Sequence, residues 1–304
     1  MKRIRIATAV LIILSWLLTW FVGCGHPSPP GSFTDDSGRV ITIDKTPERL
    51  ISHVPGITEI LFALGLGGKV VGVSTYCDYP PEAQLKAKVG GFWNPTIENI
   101  VALSPDLVFT MGSNKPLMTA LDALKITYIV LQPKDIEGVL RDIELVGKVT
   151  NTAETAEKLI RDMQERILHV ADRVKGARRP KVFYIIEAEN LNSPWTAGPG
   201  SFIDSLISTA GGENIGAKAQ APWSQFSIEE IVNSDPDIII IPTKHGTAFT
   251  APEAFKEHPI WQKITAVRLG RIFTIDDDLT SRYGPRIALG LEEMARIIHP
   301  ELFK

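Results

Sequence analysis

Cysteine is nearly missing from this 304-residue chain: only Cys24 and Cys77 occur. No disulfide framework can staple it, so the folded part must be held by apolar burial. A basic excess is missing too. Lysine and arginine number 32 against 35 acidic residues, a formal charge of −3, which excludes a nucleic-acid surface built on a positive field. Catalytic signatures are absent: there is no nucleophile elbow, no phosphate-binding Gly-Lys loop and no zinc-protease helix. Gly198-Pro-Gly-Ser201 is glycine-rich but carries no lysine. A secreted hydrolase assembled from scattered Glu, Ser and His is therefore left without a motif. Histidine is sparse, and of the six only His53 and His245 fall in loops at strand ends. One such residue per half is thin for a metal site needing about four ligands, so a metal-ion receptor is disfavoured and no metal site is assigned. Asp276-Asp277-Asp278 lacks the glycine and distal glutamate of a calcium loop and reads as a solvated turn.

Only one long hydrophobic run is present. Lys2, Arg3 and Arg5 precede the apolar stretch Ile6–Val22, which approaches the roughly 18 residues that can span a bilayer. It ends in Phe21-Val-Gly-Cys24, which resembles the bacterial lipobox, although Phe21 stands where leucine is usual. Residues 1–24 are accordingly predicted to be a lipoprotein signal peptide with Cys24 as the lipidated residue, and 25–37 a tether beginning with the proline-rich His26–Gly31. Ordinary cleavage or a retained anchor are the alternatives, and each places the remaining chain outside the cytoplasm. With Cys24 lipidated, Cys77 is a lone thiol of the kind that is usually buried.

One stretch of the chain occurs twice. Trp93-Asn-Pro-Thr-Ile-Glu98 and its continuation to Thr110 are matched without a gap by Trp223-Ser-Gln-Phe-Ser-Ile-Glu229 and its continuation to Ile240. Glu98 and Glu229 each stand seven residues before a Pro-Asp pair, Pro105-Asp106 and Pro236-Asp237. Each copy reads as a loop tryptophan, a Thr or Ser N-cap, one short helix, a Pro-Asp turn and a buried strand; Ser227 with Glu230 makes a capping box. The separation is too long for a solenoid repeat and indicates two lobes built alike. An acidic residue in a helix's first turn contributes about 0.3–1 kcal/mol through the dipole. A pair in register across two lobes also suits docking on a two-fold partner.

Taken in order, Arg39–Ile43, Arg49–His53, Val70–Val73, Leu107–Thr110 and Thr127–Leu131 read as strands. Helices Thr58–Leu64 and Pro116–Leu124 fall between them, the alternation of parallel βα units. Asp135–Val149 and Thr152–Val174 are helical, and the second contains no Gly or Pro. At 1.5 Å per residue it extends roughly 35 Å, a rigid strut that allows little hinge motion. The fold class is α/β: two similar lobes with mainly parallel sheets, 38–150 and 180–304, each able to bury its own core. The long linking helix at 151–179 joins them, with a ligand cleft between.

Trp93, Trp195 and Trp223 lie beside prolines in loops. With Tyr76 and Phe92 they suit the walls of one cleft, because open α/β sheets bind ligands at the carboxyl ends of their strands. Capping of core ends is the plainer role for any one of them. Trp261, at helical spacing from Ile264, reads as core. Arg282 and Arg286 flank Tyr283-Gly-Pro285, either as surface residues on a turn or as donors to a ligand's amides or carboxylates.

These pieces resemble the substrate-binding proteins of ABC importers for cobalamin and ferric siderophores, whose two α/β lobes are joined by one long helix. The resemblance covers roughly 38–302 and rests on Gly72-Val-Ser-Thr-Tyr-Cys-Asp-Tyr-Pro-Pro81, Gly90-Gly-Phe-Trp-Asn-Pro-Thr-Ile-Glu98, Ala210-Gly-Gly-Glu-Asn-Ile215, Ser227-Ile-Glu229 with Pro236-Asp237, and Gly284-Pro-Arg286. Tyr-Cys-Asp-Tyr-Pro and Pro-Trp-Ser-Gln-Phe-Ser are similar to the cobalamin branch in particular. The resemblance implies that Tyr76, Trp223 and Trp195 pack on a corrin, and that Asp278 and Arg282 contact its amides. Phe92 occupies the family's tryptophan position with Trp93 one residue later, so one of the two supplies that wall. Glu98 and Glu229 match glutamates that dock onto a membrane permease. A non-enzymatic, monomeric, lipid-anchored receptor is implied, without cofactor, handing a corrinoid to a permease and its ATPase at the periplasmic or cell-surface face of a membrane. A ferric siderophore or haem is the alternative ligand.

Overall fold

The computed structural model describes residues 31–304 except 245, 246 and 249. The signal segment, Cys24 and His245 lie outside the described residues. The described residues open on a two-stranded hairpin, β1 (Ser32–Thr34) with β2 (Val40–Thr42). Its first strand falls within the residues 25–37 expected as tether. The turn is closed by Asp35, whose carboxylate accepts the N–H groups of Ser37, Arg39 and Val130. This ties the hairpin to the first lobe.

That lobe follows the predicted alternation. After β3 (Leu50–Ser52) come α1 (Pro55–Ala63), β4 (Val70–Val73), β5 (Ala87–Lys88), α2 (Ile97–Ala102), β6 (Leu107–Thr110), α3 (Lys115–Ala123) and β7 (Tyr128–Val130). The five strands form a fully parallel sheet in the order β5-β4-β3-β6-β7. Two helices, α4 (Ile136–Val149) and α5 (Ala153–Val174), then lead to the second lobe.

The second lobe contains β8 (Lys181–Glu187), β9 (Trp195–Ala197), α6 (Phe202–Thr209), β10 (Glu213–Asn214), β11 (Trp223–Gln225), α7 (Ile228–Ser234) and β12 (Ile238–Lys244). It ends with β13 (Thr247–Ala248), α8 (Pro252–Glu257), α9 (Thr265–Arg268), β14 (Ile272–Asp276), α10 (Asp277–Thr280) and α11 (Ile287–Ile298). Strands β10, β8, β12 and β14 run parallel, while β9, β11 and β13 add antiparallel pairs at the edges.

The duplicated stretch folds the same way twice. Ser104 and Asp235 each leave their helix with positive φ, 45° and 44°, a left-handed stop imposed just before the proline. The next aspartate then clamps a neighbouring strand. Asp106 accepts the Glu48 and Arg49 N–H groups at 2.8 and 3.0 Å, ahead of β3; Asp237 accepts the Lys181 N–H at 2.9 Å, at the head of β8. The Pro-Asp pair is thus a strand clamp as well as a turn. Ser227 caps α7 by accepting the Glu230 N–H at 3.2 Å, whereas Thr96 holds the N-cap position of α2 without a side-chain bond.

The outer face of each sheet has its own core, but the inner core is shared. One cluster runs from Leu50 through Met163 and Val170 to Leu206 and Met294. The strut α5 buries Ala156, Met163 and Val170 on one face, a seven-residue spacing that keeps a narrow stripe inward. It packs along α4 on one side and α11 on the other. Gly147 lies so close that an added Cβ would meet that of Ala156 at 2.5 Å, and Arg166 pairs with Glu292 at 3.0 Å. Among the described residues, no helix is long and apolar enough to cross a membrane.

Candidate functional site

The carboxyl ends of β3, β4 and β6 point toward the second lobe, and the residues that follow them line a divided cleft. Its larger part, about 650 Å³, has Phe92, Trp93 and Lys134 on one side and Phe202, Trp223 and Tyr283 on the other. An adjoining part of about 210 Å³ is lined by Pro55, Gly56, Tyr76, Asp278 and Arg282. Val54, Met111, Ser281 and Tyr283 border both parts. The combined space falls in the range of small-molecule sites, about 300–1,000 Å³.

Phe92 and Trp93 both contribute. Gly90, at φ 95°, turns the chain sharply because Thr96 N would stand 2.6 Å from a side chain there. Phe92 is then held from behind, stacked on His53 at 5.7 Å, with its carbonyl accepting from the buried Asn114 amide. Trp93 packs edge-on against it at 4.5 Å and remains 72% exposed. His53 is buried, donates its Nε2–H to Gly91 O over 3.1 Å, and burial lowers its pKa.

On the opposite wall, Trp195 and Trp223 lie in strands rather than in the loops expected for them. Trp195 pairs with Gln225, and Trp223 with Ala197, which puts both indoles on one face of the β9–β11 ribbon. The opposite face carries Thr196, buried and donating to Tyr184 O at 2.8 Å. Trp223 lines the cleft, whereas Trp195 stands beside it and lines neither part.

Asp278 and Arg282 lie at the cleft floor inside an ionic cluster that bridges the lobes. Arg282, 8% exposed, bonds Asp78 from the first lobe through Nη1 and Asp278 through Nη2 at 2.8 Å. Arg286 grips Glu59 of α1 with two bonds, 3.0 and 2.7 Å, and lies 3.9 Å over the Tyr79 ring. Burial raises the Glu59 pKa against the pull of Arg286, and burial raises that of Asp278 against the pull of Arg282. Glu59, Asp78 and Arg286's role here had no signature in the chain, because the partners stand 227 and 204 positions apart. Beside the cluster the backbones touch. A Cβ on Gly56 would fall 2.7 Å from Tyr283 O, and one on Gly284 would fall 2.8 Å from Gly56 O.

Of the other predicted residues, Cys77, Trp261, Asp276, Glu98 and Glu229 line neither part of the cleft. Cys77 is buried, with Thr58 Oγ1 at 3.1 Å and Ser74 Oγ at 3.2 Å, and burial raises its pKa. Trp261 is fully buried core, donating to Leu191 O. Asp276 caps α10 by accepting the Asp278 N–H at 3.0 Å, so the triple aspartate starts a helix rather than making a simple turn. No group of three or more His, Cys, Asp or Glu that could hold a metal ion occurs among the described residues. Glu98 and Glu229 are exposed in the first turns of α2 and α7. Both helices lead back to the amino ends of core strands β6 and β12, so their N-termini lie at the cleft edge of each lobe.

A model of the family described as periplasmic binding protein matches residues 50–279. An uncharacterised ABC transporter substrate-binding lipoprotein of Bacillus subtilis, YvrC, is 31% identical over 100% of this chain and 99% of its own. The periplasmic vitamin B12 binding protein BtuF of Vibrio cholerae is 26% identical; the match covers 85% of this chain and 99% of that one, with a TM-score of 0.73. A possible iron-binding, periplasmic solute-binding protein of Staphylococcus epidermidis is 28% identical, over 84% of this chain and 100% of that one, with a TM-score of 0.73. The chain belongs to the periplasmic binding protein family, whose members are binding proteins rather than enzymes.

Proposed function

We propose that this chain is the substrate-binding lipoprotein of an ABC importer, that it captures a corrinoid such as cobalamin between its lobes, and that it delivers the ligand to a permease and its ATPase. The observation that carries the ligand class is the cleft itself. Flat aromatic walls from both lobes, Phe92 and Trp93 with Trp223 and Tyr283, enclose a floor whose Arg282 is already paired, with Arg286 held by Glu59 behind it. Aromatic faces suit a large flat ligand. Paired charges of both signs suit peripheral amides, which accept and donate. Haem brings carboxylates and catecholate siderophores bring anionic oxygens, and these would meet Asp278 beside an Arg282 whose charge is already matched. The likeness to the vitamin B12 binding protein supports the same reading.

In this reading Tyr76, Phe92, Trp93, Trp223, Asp278 and Arg282 contact the corrinoid, and Trp195 extends the wall at its rim. Glu98 and Glu229 dock on the permease, one from each lobe of a monomer spanning 38–150 and 180–304 around its strut. Cys24 carries the lipid that holds the receptor at the outer face of the membrane. Incubation with cyanocobalamin followed by gel filtration tests the ligand: corrin absorbance should travel with the protein. Its absence, with co-elution of haem or a ferric siderophore instead, would reassign the ligand within the same fold.

A further inference from the structure

We propose that Asp78 and Glu59 determine specificity by neutralising Arg282 and Arg286 across the lobes, so that the cleft takes a macrocycle rimmed by neutral amides and rejects its carboxylate counterpart. The inference rests on the corrinoid reading. Neither acidic residue is placed to touch the ligand; each acts through an arginine of the opposite lobe, and both are positioning residues.

An arginine with an open edge is a ready receptor for a carboxylate, held by two parallel N–H bonds. Both arginines here are already matched by carboxylates. Arg286 spends Nε and Nη2 on Glu59 and rests its flat face on Tyr79. Arg282 commits Nη1 to Asp78 and Nη2 to Asp278, with Glu59 a further 3.8 Å from Nη1. Two cations thus face three anions, before Asp277, which also lines this part of the cleft, is counted. Lys134 is a cation of the larger part, beside Phe92 and Trp93, and does not line the floor.

The consequence follows from burial. An entering carboxylate would either crowd against anions that already outnumber the cations or displace Asp78 or Asp278 from Arg282 and leave a partly buried charge unpaired, and both are unfavourable. An amide needs no displacement, since its carbonyl takes a remaining guanidinium N–H and its NH2 group donates to an aspartate oxygen. Specificity would then come from repulsion of the wrong ligand as much as from attraction of the right one. The charge sits where the lobes meet, because Gly56 and Gly284 bring the two backbones into contact beside it.

The test is an affinity ratio on the mature chain near neutral pH, read by calorimetry. The probes are cyanocobalamin and the same corrinoid with one peripheral amide hydrolysed to the acid. The wild type should favour the amide form by about tenfold or more. Asp78→Asn should bring the ratio toward one by tightening the acid form, and Glu59→Gln should move it the same way. A merely structural role would weaken both ligands by one factor and leave the ratio alone. Asp78 is the safer substitution if loss of the buried Glu59 charge prevents folding. Equal wild-type affinity for the two probes, or an unchanged ratio in Asp78→Asn, overturns the proposal while corrinoid binding stands. Failure of the wild type to bind either probe overturns the corrinoid reading and this inference with it.

Discussion

Trp223→Ala should weaken corrinoid binding about tenfold. The indole is 47% exposed. Of the roughly 250 Å² that a tryptophan can bury, about 120 Å² is open to a ligand. At ~25 cal/mol/Å², complete coverage contributes about 3 kcal/mol. A ring stacked on one face covers about half of that, so removal costs about 1.5 kcal/mol, or about tenfold in Kd. The fold should barely register the change, because β11 is an edge strand paired only with β9 and the indole is not core. Calorimetric titration with cyanocobalamin gives the Kd, and thermal unfolding gives the control. Trp223→Phe should keep most of the affinity, since a smaller flat face remains. A Kd within about twofold of wild type for the alanine variant, with unchanged unfolding, would refute the stacking argument.

Three further predictions follow from other regions. Glu98→Ala combined with Glu229→Ala should abolish ATP-driven uptake in reconstituted vesicles while leaving the Kd for the ligand unchanged; lost ligand binding would refute the docking role. Gly284→Ala should lower stability by about 1–3 kcal/mol, because its Cβ would lie 2.8 Å from Gly56 O, and an unaltered melting temperature would show that the lobes can part freely. Burial pushes the Asp142 carboxyl up to about 8, with Asp36 adding to the shift. Between the ordinary carboxylate range and that value the native state holds one more proton than the unfolded chain, so this group makes stability fall as pH rises through the window. Asp142→Asn should therefore raise the melting temperature more at alkaline than at acidic pH, and an equal effect at both would contradict it.

Much of this fold was legible because its signals are local. The Ile238–Ile241 run, the Gly- and Pro-free strut and the paired Pro-Asp stops each declare an element within a few residues, and α5 begins one residue after the predicted start. Strands β9 and β11 were not legible. Each has three residues, too few for an alternation to stand out, and each holds a tryptophan beside a proline that reads equally as loop. The cleft aromatics were visible as residue types, but the division of labour between Phe92 and Trp93 depends on the stack over His53, a contact across strands. The ionic floor was hidden for a like reason. Arg282 stood out beside its glycine turn, yet its partner Asp78 arrives only when the lobes close on Gly56 and Gly284. Asp35 sits only a few residues before β2, yet its carboxylate reaches forward to Val130, a long-range tie that no local pattern announces.

The central claim is a corrinoid held between aromatic walls, and titration of cyanocobalamin into soluble protein starting after Gly25 tests it most directly. A one-to-one isotherm with Kd at or below about micromolar is the expected result. No heat at that concentration, alongside saturable binding of haem or a ferric siderophore, would contradict it.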